Sequence, residues 1–222
     1  MIPRVEIATA LIPDGGKLRL IRRGTEFSIM LDGNELMNSR LSGSEQALAT
    51  LAIDRLGESA KPHLLIGGLG MGFTLRAALA RLSRDARVTV VELVPTVVEW
   101  ARGPLSDIFG DCLQDARVDI VEADVGHIIA TARATYDAIL LDVDNGPDGL
   151  TKGSNDRLYS SAGLSVVRTA LKAGGVLAVW SANPDSGFSR RLRDAGFEVE
   201  IHHVRAREGK GARHTIWISS TA

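Results

Sequence analysis

Between His63 and Trp180 the chain alternates short, continuous apolar runs with stretches of helical length, and no other feature limits its fold so tightly. The apolar runs are His63–Ile66, Val88–Glu92, Val118–Val121, Ala138–Leu141 and Val176–Trp180. Helical stretches at Thr74–Leu82, Pro95–Arg102, Gly126–Ala132 and Ser161–Lys172 lie between them, and Ser186–Ala195 follows, ended by Gly196. A strand that is apolar throughout must be buried on both faces, which a parallel sheet covered by crossover helices provides. The ending departs from this rhythm. Phe197–Val204 and His214–Ser219 are joined only by the polar, glycine-bearing Arg205–Arg213, so they are expected as an antiparallel pair at one sheet edge. The expected fold is therefore α/β, a doubly wound, mostly parallel, seven-stranded Rossmann-like sheet.

Residues 1–42 follow another pattern and are expected to form a small N-terminal β extension to one domain over 43–222. Lys17–Arg22 and Glu26–Leu31 alternate apolar and polar residues across Arg23-Gly24, a hairpin signature, and Asp32-Gly33 makes a second tight turn into Glu35–Met37. Ser44 then precedes Glu45-Gln46 and an Ala/Leu-rich run to Leu56, which reads as a capped helix closed by Gly57.

Leu64-Leu65-Ile66-Gly67-Gly68-Leu69-Gly70-Met71-Gly72 runs a buried strand into a glycine turn and then a helix. Gly68, Gly70 and Gly72 permit a sharp turn and a close approach of backbone to a ligand. Twenty residues past Gly72, Glu92 ends the next strand, where a carboxylate can accept hydrogen bonds from both ribose hydroxyls of an adenosine ligand. The glycine spacing is GxGxG rather than the GxGxxG of dinucleotide enzymes, and no Walker lysine follows, which disfavours a nicotinamide cofactor and a nucleoside triphosphate. At the end of the third strand, Asp124 can receive an adenine amino group, with Val125 offering its backbone, or it can cap the helix that follows. Asp142 and Asp144 end the fourth strand, at the side of an open α/β sheet where ligands lie. There a carboxylate can take a proton from an attacking amine, and two acids can hold a cation; Asp144-Asn145-Gly146-Pro147 also reads as turn chemistry. The polar stretch Asp148–Asn155 is placed to serve as a lid or as an ordinary surface loop.

Composition removes several function classes. A formal net charge of −1 and 5% aromatic residues leave little to hold or stack nucleic acid. The single Cys112 excludes an intrachain disulfide, and no Cys/His cluster has metal-binding spacing, so no metal is expected. No apolar run is of membrane-spanning length and the first residues do not read as a signal peptide, so a cytoplasmic protein without a membrane partner is the expectation.

Taken in order, GGLGMG after a strand, VVELVPTVVEWAR, EAD and LLDVDNGP resemble the class I S-adenosylmethionine-dependent methyltransferase fold and, more narrowly, the spermidine/spermine synthase (polyamine aminopropyltransferase) family. The hairpins with LDGNELMNSR resemble that family's small β domain, and the Leu158–Val176 region resembles its segment before the fifth strand. The resemblance implies a co-substrate, S-adenosylmethionine or its decarboxylated form, with Gly68, Gly70 and Gly72 shaping the pocket for its methionine part. It implies Glu92 on the ribose, Asp124 on the adenine, and Asp142 deprotonating an amine acceptor that displaces methylthioadenosine. It also suggests a homodimer. The chain departs from the family in three places. Gly70 stands where the synthases carry a loop Asp; Asp144 follows Asp142 by two residues rather than three; and Ser44-Glu45-Gln46 stands where they have Tyr-His-Glu. The expected function is a spermidine-synthase-like transfer to a small-molecule amine. A small-molecule methyltransferase and a non-catalytic nucleoside-binding module are the alternatives.

Overall fold

The structure, a computed structural model, describes residues 2–12, 15–57, 60–143, 147, 157–207 and 210–221. Asp144 and most of the turn and the expected lid after it lie outside the described residues. The chain begins with an antiparallel sheet in the order β1 (Val5–Leu11), β2 (Lys17–Arg23), β3 (Glu26–Leu31) and β4 (Asn34–Asn38). The Arg23-Gly24 and Asp32-Gly33 turns are where the hairpin signatures placed them, with Gly24 at φ 62° and Asp32 at φ 51°. Strand β1 was not expected. Its side chains are mostly exposed or half-buried, and its pairing with β2 shifts register between Glu6 and Ala8, so it carries no clean alternation to read.

Helix α1 (Gly43–Leu56) leads into the central sheet. Its strands β5 (His63–Gly67), β6 (Arg87–Glu92), β7 (Val118–Glu122), β8 (Tyr136–Leu141), β9 (Leu171–Ser181), β10 (Phe197–Arg207) and β11 (Lys210–Thr221) lie in the order β10-β11-β9-β8-β5-β6-β7. β9, β8, β5, β6 and β7 run parallel, and β11 and β10 add antiparallel at the edge beside β9. The crossovers carry α2 (Phe73–Arg81), α3 (Pro95–Arg102), a turn of helix α4 (Ser106–Phe109) with a 3-10 turn Gly110–Gln114, α5 (Val125–Thr131), α6 (Ser161–Ala170) and α7 (Ser186–Asp194). The expected mostly parallel seven-stranded sheet is therefore present.

The period of two along each strand divides the core. Leu64 and Ile66 of β5, and Ala138 and Leu140 of β8, face one apolar cluster, while Leu65, Ile139 and Leu141 face the other. The first cluster extends without a break into the N-terminal sheet: Leu18, Leu20, Ile29 and Leu31 pack with Leu48, Ala49 and Ala52 of α1 and with Leu69 and Met71 of the glycine loop. Full burial of Leu20 alone contributes about 2 kcal/mol to holding that sheet in place. The N-terminal sheet thus shares its core with the face of the central sheet that carries the loop.

Two local expectations are corrected. Ser44 does not cap α1: the helix starts at Gly43 after Ser42, and the Ser44 hydroxyl is buried and bonded elsewhere. Much of Arg205–Arg213 belongs to the strands, since β10 and β11 remain paired to Arg207 and Lys210 with an irregularity between Arg205 and Arg207. Long antiparallel strands satisfy each other's backbone groups whatever their side chains are, so a polar composition did not end the pairing there. No helix among the described residues is long and apolar enough to cross a membrane.

Candidate functional site

From β5 the chain winds outward through β6 and β7, then returns to the other side of β5 for β8 and β9. The crevice at such a reversal, outside the carboxyl ends of the strands, is where open α/β sheets hold ligands. A cavity of about 430 Å³ lies there, bounded by Gly68, Glu92, Asp124 and Asp142 from strand ends and by Met37 and Asn38 from the N-terminal sheet. Val125 also lines it.

The loop after β5 is tied to both neighbouring strands. Gly68 N–H donates to Val91 O at 2.8 Å, and Asp142 N–H donates to Gly67 O at 3.0 Å. Gly68, Gly70 and Gly72 have φ of 90°, 49° and 74°, a region that glycine enters without strain. A Cβ at Gly68 would stand 2.4 Å from Asp142 O, and one at Gly72 would stand 2.4 Å from the Phe109 ring. At these positions the close approach is to the protein itself. Gly72 is not part of the cavity wall, whereas Gly68 and Gly70 are. At Gly70 a Cβ would stand 2.7 Å from Met37 Cε, so the thioether of the N-terminal sheet occupies the space a side chain there would take.

Glu92 is 8% exposed and accepts from Leu69 N–H through Oε2 and from Val94 N–H through Oε1, each at 2.9 Å. Burial pushes its carboxyl above the usual range, opposed by these backbone donors. The backbone N–H groups of Gly70 and Leu93 also act on this carboxylate, which lines the cavity. Asp124 caps α5, its Oδ1 accepting His127 N–H at 3.1 Å. It also lines the cavity, and the cap uses only one of its two oxygens.

Asp142 follows β8. Thr74, in the first turn of α2, lies 2.7 Å from Asp142 Oδ2 through its hydroxyl and 3.3 Å from Glu45 O. Burial, then the charge of Glu45, pushes the Asp142 carboxyl up to about 7, against the lowering effect of the Thr74 bond. When Asp142 is ionised, Thr74 donates to it. When Asp142 is protonated, it can donate to Thr74, whose own proton is then free for Glu45 O.

Glu45 is the neighbour that the strand-and-loop motifs did not reveal. It lies in α1 at 9% exposure, accepts the Ser44 hydroxyl at Oε2 over 2.7 Å, and is likewise raised by burial. His214 Nδ1 lies 2.8 Å from that same Ser44 oxygen, and the His214 ring meets Trp180 at a centroid distance of 4.8 Å. His214 has no sequence pattern around it. It arrives because β11 inserts between β9 and β10. Thr74 had a faint signal, two residues beyond the last loop glycine at the head of a helix.

The strand order and crevice define a Rossmann-like α/β protein of the methyltransferase-like type. The chain superposes on spermidine synthase from Thermotoga maritima with a TM-score of 0.75 over 98% of this chain and 72% of that one, at 19% identity. Residues 47–186 match the spermine/spermidine synthase domain, and the chain belongs to that family. Among curated relatives, the polyamine aminopropyltransferase of Mycobacterium tuberculosis is 30% identical over 192 residues, covering 82% of this chain and 35% of that protein. Polyamine aminopropyltransferase 1 of Streptomyces coelicolor is 35% identical over 127 residues, covering 55% of this chain and 23% of its own length. The chain thus spans about a third or less of these two relatives.

Proposed function

We propose that this chain is a spermidine-synthase-like transferase that moves an aminopropyl group from decarboxylated S-adenosylmethionine to a small amine. The observation that carries this reading is the charge of the cavity wall. Among the described lining residues, Glu35, Glu45, Glu92, Asp124 and Asp142 are acidic, none is Lys or Arg, and burial lowers the pKa of the only imidazole, His214. Such a wall has no counter-ion for a carboxylate, which favours the donor that lacks one, and it favours a cationic acceptor. The relatives are polyamine aminopropyltransferases, which agrees with that chemistry.

In this reading Glu92 holds the ribose, Asp124 with the Val125 backbone holds the adenine, and the Gly68–Gly70 turn passes along the sulfonium side. The donor supplies an electrophilic carbon and a leaving thioether. Asp142 accepts a proton from the attacking nitrogen as the N–C bond forms and the C–S bond breaks, releasing methylthioadenosine. A base tuned to about 7 can both accept and release a proton near neutrality. The rest of the rate comes from holding nitrogen, carbon and sulfur in line.

The test is calorimetric titration with both donors, followed by turnover with an amine panel. Decarboxylated S-adenosylmethionine is expected to bind more tightly. Tighter binding of S-adenosylmethionine itself, with methyl transfer to product, would replace this reading by the methyltransferase one.

A further inference from the structure

The first turn of α2 carries a buried hydroxyl that its own helix does not use. A threonine in a helix commonly bonds the backbone of that helix, as a cap or to the carbonyl one turn back. Here α2 starts from Gly72 without a side-chain cap, and Thr74 is 4% exposed with its hydroxyl bonded to two other segments. It lies 2.7 Å from Asp142 Oδ2, across 68 residues of sequence, and 3.3 Å from Glu45 O, across 29. A hydroxyl has one proton, so it donates to one of these acceptors at a time. The shorter distance and the charge assign that proton to Asp142 when the carboxylate is ionised. When Asp142 carries a proton on Oδ2, that proton meets the Thr74 oxygen and the hydroxyl proton swings to Glu45 O. Both states are bonded, and passing between them rotates one O–H without moving a heavy atom.

We propose that Thr74 is the positioning residue of the base: its hydroxyl holds Asp142 Oδ2 at the cavity wall through both protonation states, so the carboxylate need not reorient to take a proton. The inference rests on the aminopropyl-transfer reading for its reaction, but its geometry concerns the Asp142 carboxyl alone. Among the described residues Thr74 is the one side chain that donates to this carboxylate, and the bond uses one of its two oxygens. Burial and the charge of Glu45 favour the neutral acid, and the Thr74 bond opposes them. The cavity's other titratable groups have separate ties. Glu35 is bonded to Ser28 and Asn38, Glu92 to the loop backbone, Asp124 to the start of α5 and His214 to Ser44, and none of the four shifts Asp142. Thr74 is thus the group that keeps the anion available in a site that otherwise disfavours it. A donor already in place when charge changes on its partner costs no reorganisation during the reaction.

The experiment is the pH profile of turnover by the full chain with decarboxylated S-adenosylmethionine and 1,4-diaminobutane, for wild type, Thr74→Val and Thr74→Ser. Valine keeps the branched shape without the hydroxyl, and serine keeps the hydroxyl without the branch. Thr74→Val is expected to move the acid limb upward by about one pH unit and to lower kcat about 10-fold, with methylthioadenosine affinity within about twofold. Thr74→Ser is expected to keep the limb within about 0.3 unit of wild type. A limb in Thr74→Val within about 0.3 unit of wild type, or a serine variant no closer to wild type than valine, overturns the proposal. Thr74→Ala replaces valine if that variant does not fold, with the same shift expected and the same result decisive. If wild type turns over no amine, the transferase reading fails and urea unfolding decides the role of Thr74 by itself. The stability gap between Asp142 and Asp142→Asn is expected to level off near pH 7 in the wild-type background. In the Thr74→Val background Asp142 keeps its proton to higher pH, so the gap is expected to go on opening to about pH 8. A gap that levels off at the same pH in both backgrounds overturns the proposal whatever the chain catalyses.

Discussion

Replacing Asp142 by Asn is expected to stabilise the protein above neutral pH while abolishing turnover, and the size of the effect follows from the site. The Asp142 carboxyl titrates near 3.8 when exposed and is pushed up to about 7 in the fold, by burial and by Glu45. The folded state therefore keeps a proton that the unfolded chain gives up. Wherever the folded state binds more protons, stability falls as pH rises, so the penalty is absent below pH about 4, grows between about 4 and 7, and is constant above. At about 1.4 kcal/mol per unit, this shift sets a ceiling of about 4 kcal/mol. Asp142 borders an open cavity and retains partial exposure, so solvent screening reduces the expected penalty to about 2 kcal/mol. Asn keeps the shape and can still accept the Thr74 hydroxyl, but it carries no charge to bury. Urea unfolding of both proteins at pH 4, 6 and 8 reads this directly, as a midpoint gap that opens with pH at constant m. A gap that does not change with pH, or a variant less stable than wild type at pH 8, would refute the assignment of Asp142 as a buried acid held next to Glu45.

Three further outcomes are expected. The acid limb of the turnover profile rises through pH about 7 in wild type as Asp142 ionises, and Asp142→Asn removes both the limb and the activity; a flat profile from pH 6 to 8 contradicts Asp142 as base. Glu92→Gln forces an amide N–H against either the Leu69 or the Val94 N–H, so it costs about 1–3 kcal/mol in unfolding and weakens methylthioadenosine binding by calorimetry. Unchanged nucleoside affinity would remove Glu92 from the ribose. Gly72→Ala places a Cβ at φ 74° and 2.4 Å from the Phe109 ring, and is expected to lower stability by about 1–3 kcal/mol through packing, measurable as a drop in Tm.

Much of the central sheet was legible because its signals are local. HLLIG, RVTVVE and YDAILL are buried on both faces, and a run of apolar β-favouring residues needs no distant partner to be recognised. The same holds for Pro95–Arg102, whose proline sits in the first turn as a helix start requires. Strand β1 escaped because it is an edge strand with a register shift, half in water. The last strands were drawn short because backbone pairing continues through polar residues once a partner is in register. Within the site, the strand-end acids could be located by topology alone, since every parallel strand of a doubly wound sheet ends on the same side. Ser44 misled for the same local reason: a serine before Glu-Gln and an apolar run looks like a cap, but its hydroxyl is taken by Glu45 and His214.

By itself, then, the order of residues determined a parallel α/β sheet, a glycine turn at φ values that side chains resist, and acids Glu92, Asp124 and Asp142 at one rim. Each of these depends on the chain within about twenty residues of itself. Tertiary structure decided what those acids are beside. Only folding brings His214 of β11, Ser44 and Glu45 of α1, and Thr74 of α2 to Asp142, across sequence separations of up to 170 residues. It is this company, through desolvation and like charge at short range, that moves Asp142 from an ordinary surface carboxylate to a group poised near neutrality. Electrostatic character depends on three-dimensional neighbours, and no period or spacing along a chain records them.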